Sequence, residues 1–393
     1  MLPFEYKNPV EVVFENGAVH KLSSLLLGRW RKVLLVAAGQ LPEQTLQEVR
    51  AQICDSGAEL VTMDAVDSNP KLRSVYQGVE AARSAGADCV LALGGGSAMD
   101  CAKLIAVSAK TGVDPYEYVW GSRPKAEDSL DTIMVPTIAA TGTELNDTAV
   151  IVNEKTREKY WCVCKHPKLC VMDPALSATL PMNLTIWGAM DVLSHTFEFY
   201  LNGNMQSEFQ LCFSEALLTT IMRALERLVE DPTDLTARGE MLWCSTITWG
   251  TGLTKIGRGQ PDMTCHSIEE SFSGFFDTHH GACLGVLTPR WMQMVAPGQP
   301  KLFARFARRV MGIQDADDAR ATQFGVKAYI DWLKRVKAPQ TYFDLSDKWA
   351  FDDTQLKTVA DNAWRIYHGN IGRLQSMSRE EILTILLAGR KVL

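Results

Sequence analysis

The sequence predicts two parts: an α/β fold class with a doubly wound parallel sheet over residues 1–183, then an all-α part over 184–393. Three observations predict it. Apolar runs alternate with amphipathic stretches through the first part. The runs are continuous, as in strands buried on both faces. From Leu184 onward, apolar residues recur at helical spacing.

Residues 32–38 (KVLLVAA) read as a buried strand ending at Gly39, and residues 41–55 as the helix after it. Residues 59–63 are a second strand, and Asn69-Pro70 breaks the chain before another helix. Residues 88–93 are a third strand, followed by Gly94, Gly95 and Gly96 and a helix over 97–108. Residues 132–135 form a further apolar strand. Right-handed crossovers between such strands give a doubly wound sheet. Residues 187–200, 208–230, 237–252, 303–310, 321–336 and 379–387 read as helices, with Asp231-Pro232 stopping the second. A cleft between two such parts is a common ligand site.

Composition narrows the class. Lys plus Arg is 40 and Asp plus Glu 46, a net charge of −6, which argues against a nucleic-acid partner. No apolar run approaches the roughly 18 residues of a membrane span. The stretch from Met1 to Tyr6 has neither the basic flank nor the apolar segment of a signal peptide. A cytoplasmic chain with no membrane partner is expected. Its ten cysteines show no zinc-finger spacing, so reduced thiols are expected.

Gly94-Gly95-Gly96-Ser97 lies between a strand and a helix. Glycines admit a ligand close to the backbone, and free amides at the helix start suit a phosphate. The same residues also suit a tight turn with no ligand. Pro136 to Glu144 (PTIAATGTE) adds three threonine hydroxyls after the next strand. These suit a ribose or pyrophosphate, or a helix cap.

Asp191 and His195 lie four apart in a predicted helix, as do His266 and Glu270 in another. Such pairs share a helix face. With His280, Asp191, His195 and His266 offer one carboxylate and three imidazoles, a donor set for iron or zinc. Satisfied core histidines, and a solvated His279-His280 pair, are the alternatives.

Taken together, the motifs resemble the iron-containing (group III) alcohol dehydrogenase family, most nearly its butanol-dehydrogenase-like branch. Gly94 to Lys103 is similar to that family's G-G-G-S-x-x-D-x-A-K, and Pro136 to Glu144 to its P-T-T-x-G-T-G-S-E. Asp173-Pro174 with Pro181, Met190 to Tyr200, and His266 to Pro289 resemble its remaining stretches. The resemblance implies an N-terminal dinucleotide-binding domain and a helical metal-binding domain, the architecture of dehydroquinate synthase. It implies Asp191, His195, His266 and His280 as ligands of a divalent metal, Fe2+ first and Zn2+ as the alternative. It places Gly95, Gly96, Ser97, Asp100, Thr137, Thr141, Lys159 and Leu184 at NAD(H) or NADP(H). The implied activity interconverts small alcohols and aldehydes, in a chain that self-associates as a dimer.

Two departures stand out. Glu270 occupies the position of the family's second histidine, which relays a proton; with Asp100 it makes the expected catalytic pair. Thr143 replaces a serine but keeps the hydroxyl. No acid lies between Ala37 and Leu41, where members using NAD often carry one, so NADPH is expected to be accepted. The rival readings are a polyol or phosphorylated substrate, for which a Lys/Arg cluster facing the metal would speak and nearby Lys255 and Arg258 by themselves do not, and a silent paralogue that keeps the cofactor fold.

Overall fold

The computed structural model describes residues 1–63 and 65–393. In chain order the first stretch holds β1 (Glu11–Phe14), α1 (Leu22–Leu26), β2 (Lys32–Ala37), α2 (Glu43–Asp55), β3 (Glu59–Thr62), α3 (Leu72–Ala85) and β4 (Cys89–Gly94). There follow α4 (Gly96–Thr111), α5 (Pro115–Val119), β5 (Asp131–Pro136), β6 (Thr148–Asn153), β7 (Glu158–Val163) and β8 (Leu169–Met172). The remainder is helical: α6 (Met182–Tyr200), α7 (Glu208–Glu230), α8 (Leu235–Ser245), α9 (Thr264–Phe276) and α10 (His280–Val295). It ends with α11 (Pro300–Arg309), α12 (Asp318–Arg335), α13 (Asp353–Ile366) and α14 (Arg379–Ala388).

Six parallel strands form one sheet in the order β1-β8-β5-β4-β2-β3. Successive residues of a strand point to opposite faces. On one face Val33, Leu35, Leu91, Leu93, Ile133 and Val135 join one apolar core. On the other, Leu34, Val36, Val90, Ala92 and Met134 join a second. Burial on both faces explains why these strands read as unbroken apolar runs. The sequence did not announce the β6–β7 hairpin, an antiparallel pair outside the sheet. Asp173, after β8, accepts hydrogen bonds from the backbone N–H groups of Ala175 and Gly17.

The chain divides into two compact units. One is Lys7–Pro181 with Asp231–Thr251; the other is Met1–Tyr6, Met182–Glu230 and Gly252–Leu393. The first break falls beside the expected boundary at 183/184. The return of Asp231–Thr251 to the α/β unit departs from the expected division. Packing explains it. Trp243 meets Phe14 edge-on at 5.9 Å, and Leu242 joins the apolar core. Thr246–Gly250, at the end of α8, is a single π-helical turn. There the Ser245 hydroxyl donates to the Ala140 carbonyl at 3.1 Å, and Thr246 donates to Glu144. The helical unit is hydrophobic nearly all round α6, which is buried from Ile186 through Tyr200 apart from Trp187. Among the described residues no helix is long and apolar enough to cross a membrane, and no cysteine is in a disulfide.

Gly250 is the tightest point of the returning segment. A Cβ there would run into the Gly142 carbonyl. Gly250→Ala is expected to lower stability by about 1–3 kcal/mol, as overpacking does, measured as a drop in thermal midpoint. Gly298→Ala, at a site with open space, serves as its control.

Candidate metal centre

Buried α6 presents Asp191 and His195 one turn apart, with Asp191 only 2% exposed. His266 comes from the first turn of α9, and His280 opens α10. Asp191 Oδ1 lies 3.2 Å from His195 Nδ1, 3.6 Å from His266 Nε2 and 3.6 Å from His280 Nε2. The donor atoms of Asp191, His266 and His280 all lie within 4.8 Å of one another. Three of the four expected ligand candidates thus share one cluster, and His195 adjoins it through Asp191. His279 does not join them; its ring packs on Trp187 with centroids 4.9 Å apart.

The site fits a divalent cation. Asp191 Oδ1 and His266 Nε2 are buried and make no hydrogen bond. Oxygen and imidazole donors without thiolate suit a first-row metal. Two carboxylates that sequence reasoning missed stand behind the ring. Glu198 Oε2 lies 2.7 Å from His266 Nδ1, and Glu269 pairs with His280 Nδ1. Each leaves Nε2 facing Asp191, the usual carboxylate–histidine–metal arrangement. Spacing could have found Glu198, which follows Asp191 by two helical turns on α6.

Electrostatics follow from the crowding. Burial pushes Asp191 upward, but His195, His280 and His266 outweigh it and hold the carboxyl below its ordinary range. Burial, helped by the neighbouring imidazoles, pushes His195 down to about 3 against the pull of Asp191. Burial also lowers His266, but Glu198 and Asp191 overcome it and raise that group to about 10.

Close helix packing makes the convergence possible. A Cβ at Gly281 would collide with the Trp187 carbonyl, and one at Gly285 would lie 3.0 Å from Met190 Cγ. The glycines let α10 lie close to α6. Arg258 closes the other end of α6. Its fully buried guanidinium donates to the carbonyls of Phe199 and Tyr200 at 3.1 and 2.9 Å. Asp262 accepts from the backbone of Thr264, Arg373 and Leu374, which fixes the start of α9. Glu270, one turn after His266, is 6% exposed and accepts a hydrogen bond from the Tyr367 hydroxyl.

In the α/β unit the two expected loops meet. A Cβ at Gly96 would lie 2.7 Å from Thr141 Cγ2, and one at Gly95 2.7 Å from Ile138 Cγ2. Thr137 N–H donates to the Gly94 carbonyl at 3.0 Å. Ser97 Oγ accepts from Asn69 N–H at 3.2 Å, and Lys159 Nζ donates to Asn69 Oδ1 at 3.4 Å. Asn69 thus links two expected cofactor residues; its only sequence signal was the Asn-Pro break.

Asp100 differs from its expected role at the reaction. It is buried, and its oxygens accept from Thr143 Oγ1 at 2.6 Å and Val150 N–H at 2.9 Å. Lys103 Nζ donates to Thr143 Oγ1, Asn146 Oδ1 and the Thr148 carbonyl at 2.6, 2.9 and 2.8 Å. Burial pushes Asp100 up and Lys103 down, each against the other's charge. Leu184 lies in the first turn of α6, half-buried.

Two substitutions test the centre. Glu198→Gln is expected to weaken metal binding about 10- to 100-fold, measured by chelator competition. Gly281→Ala is expected to lower both metal affinity and thermal midpoint, because α10 must move off Trp187.

Residues 9–174 match the family model described as iron-containing alcohol dehydrogenase. Residues 185–389 match that described as Fe-containing alcohol dehydrogenase family, C-terminal. The chain is 32% identical over 394 residues to the probable NADH-dependent butanol dehydrogenase 1 of Bacillus subtilis, covering 99% of this chain and 100% of that one. It is 24% identical over 344 residues to the NADPH-dependent aldehyde reductase of Escherichia coli, covering 86% of this chain and 87% of that one. The crystal structure of NADH-dependent butanol dehydrogenase A from Thermotoga maritima superposes with a TM-score of 0.92 at 33% identity, covering 100% of this chain and 99% of that one. With both halves matched and the likeness running from end to end, the chain belongs to the iron-containing alcohol dehydrogenase family.

Proposed function

We propose that this chain is a metal-dependent alcohol dehydrogenase and aldehyde reductase for small alcohols and aldehydes, working with NADH or NADPH. The observation that carries the reading is the buried Asp191 carboxylate ringed by His195, His266 and His280. The relatives named above support it. Iron(II) is our assignment on family membership, and zinc(II) suits the same donors.

When bound, the metal supplies Lewis acidity at the substrate oxygen and the dinucleotide supplies the hydride. The protein's residues do the rest. The first amides of α4, with Ser97, receive the dinucleotide phosphates. Thr137 and Thr141 line the same loop pair, and Asn69 steadies Lys159 on it. Asp100 is a positioning residue: it fixes Thr143 and, through Val150, the β6–β7 hairpin that carries Lys159. Glu198 and Glu269 aim the imidazoles. Glu270 takes the relay position of the family's second histidine and passes a proton to the reduced oxygen.

The rival phosphorylated substrate loses its arginine. Arg258 is fully buried and engaged with backbone carbonyls at the end of α6. The short stretch from Ala37 to Leu41 carries no acid to repel a 2′-phosphate, which supports use of NADPH beside NADH.

Metal-stripped protein is expected to oxidise NADH and NADPH with butanal only after anaerobic addition of iron(II) or zinc(II). Turnover that ignores metal would refute the reading, and a strong preference for NADH would refute the assignment of dual cofactor use. Glu270→Gln is expected to lower kcat about 10²-fold and to flatten the pH–rate profile. An unchanged profile and rate would remove Glu270 from the relay.

A further inference from the structure

Glu270 sets a chemical problem. A catalytic metal centre keeps a position open for substrate. Residues four apart on a helix have Cβ atoms about 5–6 Å apart, so a glutamate one turn beyond His266 can reach a cation held by that histidine. A carboxylate-type oxygen donor there competes with the substrate oxygen for the open position. The histidine ring expected here is rigid; the glutamate chain is flexible, and something must hold it.

We propose that Tyr367 is a positioning residue that holds Glu270 off the metal. Its hydroxyl donates to Glu270 Oε2. Glu270 is 6% exposed, so water competes little for that oxygen. Tyr367 caps the C-terminus of α13, which packs against α9. His368 then turns the chain through a left-handed conformation, with φ 52°, so the tyrosine stands at a fixed helix end. The tether ties down Oε2 of a carboxyl that sits one helical turn beyond His266. This inference rests on the metal-centre reading above.

Cobalt(II) is the probe. Wild type, Tyr367→Phe, Glu270→Gln and the double variant are loaded with it. Visible d–d absorption reports coordination number, and chelator competition reports affinity. In Tyr367→Phe the released carboxylate is expected to join the ion. The visible bands then weaken, and affinity tightens on the order of tenfold, the scale on which neighbouring groups move metal binding. Adding Glu270→Gln to that variant is expected to return both readings to those of Glu270→Gln alone. An unchanged spectrum and affinity in Tyr367→Phe, or weaker binding, overturns the tether while leaving the metal centre standing. Wild type that takes up no cobalt overturns the metal-centre reading and the tether together.

Discussion

A carboxylate with almost no access to water is held among three imidazoles, and the helical unit is organised around that. Burying the Asp191 charge alone is costly. His266, raised by Glu198 and Asp191, offsets part of the cost, and His195, His266 and His280 each arrive on a specified turn of α6, α9 or α10. Those helices must therefore cross closely. Glycine at 281 permits the crossing, Arg258 finishes α6, and Asp262 fixes the start of α9. Glu198 and Glu269 then decide which nitrogen of the His266 and His280 rings faces inward. The polar centre and the apolar packing are one constraint seen from two sides.

The α/β unit repeats the logic with other residues. Asp100 and Lys103 are buried together on α4, and Thr143 stands between them as donor to one and acceptor from the other. The threonine that replaces the family's serine serves this role through its hydroxyl. The network holds the Thr141–Thr143 loop against Gly96, while the returning segment Asp231–Thr251 supports the same loop from Ser245 and Gly250. A π-helical turn at that point fits the habit of such turns to occur at functional places.

Much of this was legible beforehand. The strands after residues 32, 59, 88 and 131 showed as apolar runs because both sheet faces are covered. The helix Glu208–Glu230 matched its expected bounds because Asp231-Pro232 ends it by local chemistry. The ligand candidates were visible through four-residue spacing and family motifs. The β6–β7 hairpin was not, and neither was the return of Asp231–Thr251, because nothing local states which core a short helix will join.

Sequence by itself determined the α/β-then-α order, the two Gly/Thr loops and the four metal-ligand candidates. Periodicity, turn chemistry and the Asp191/His195 spacing along one helix are local properties, and the family motifs add His266 and His280. Tertiary structure alone decided the pairings across elements: Asn69 with Ser97 and Lys159, Glu269 with His280, and Tyr367 with Glu270. It also tied Arg258 to the backbone carbonyls at the end of α6 and drew Asp100 into a buried network. The physical reason is the same in each case. A hydrogen bond is satisfied by whatever group packing brings within reach, and residues 97 positions apart, as Glu270 and Tyr367 are, meet only when the whole core has formed.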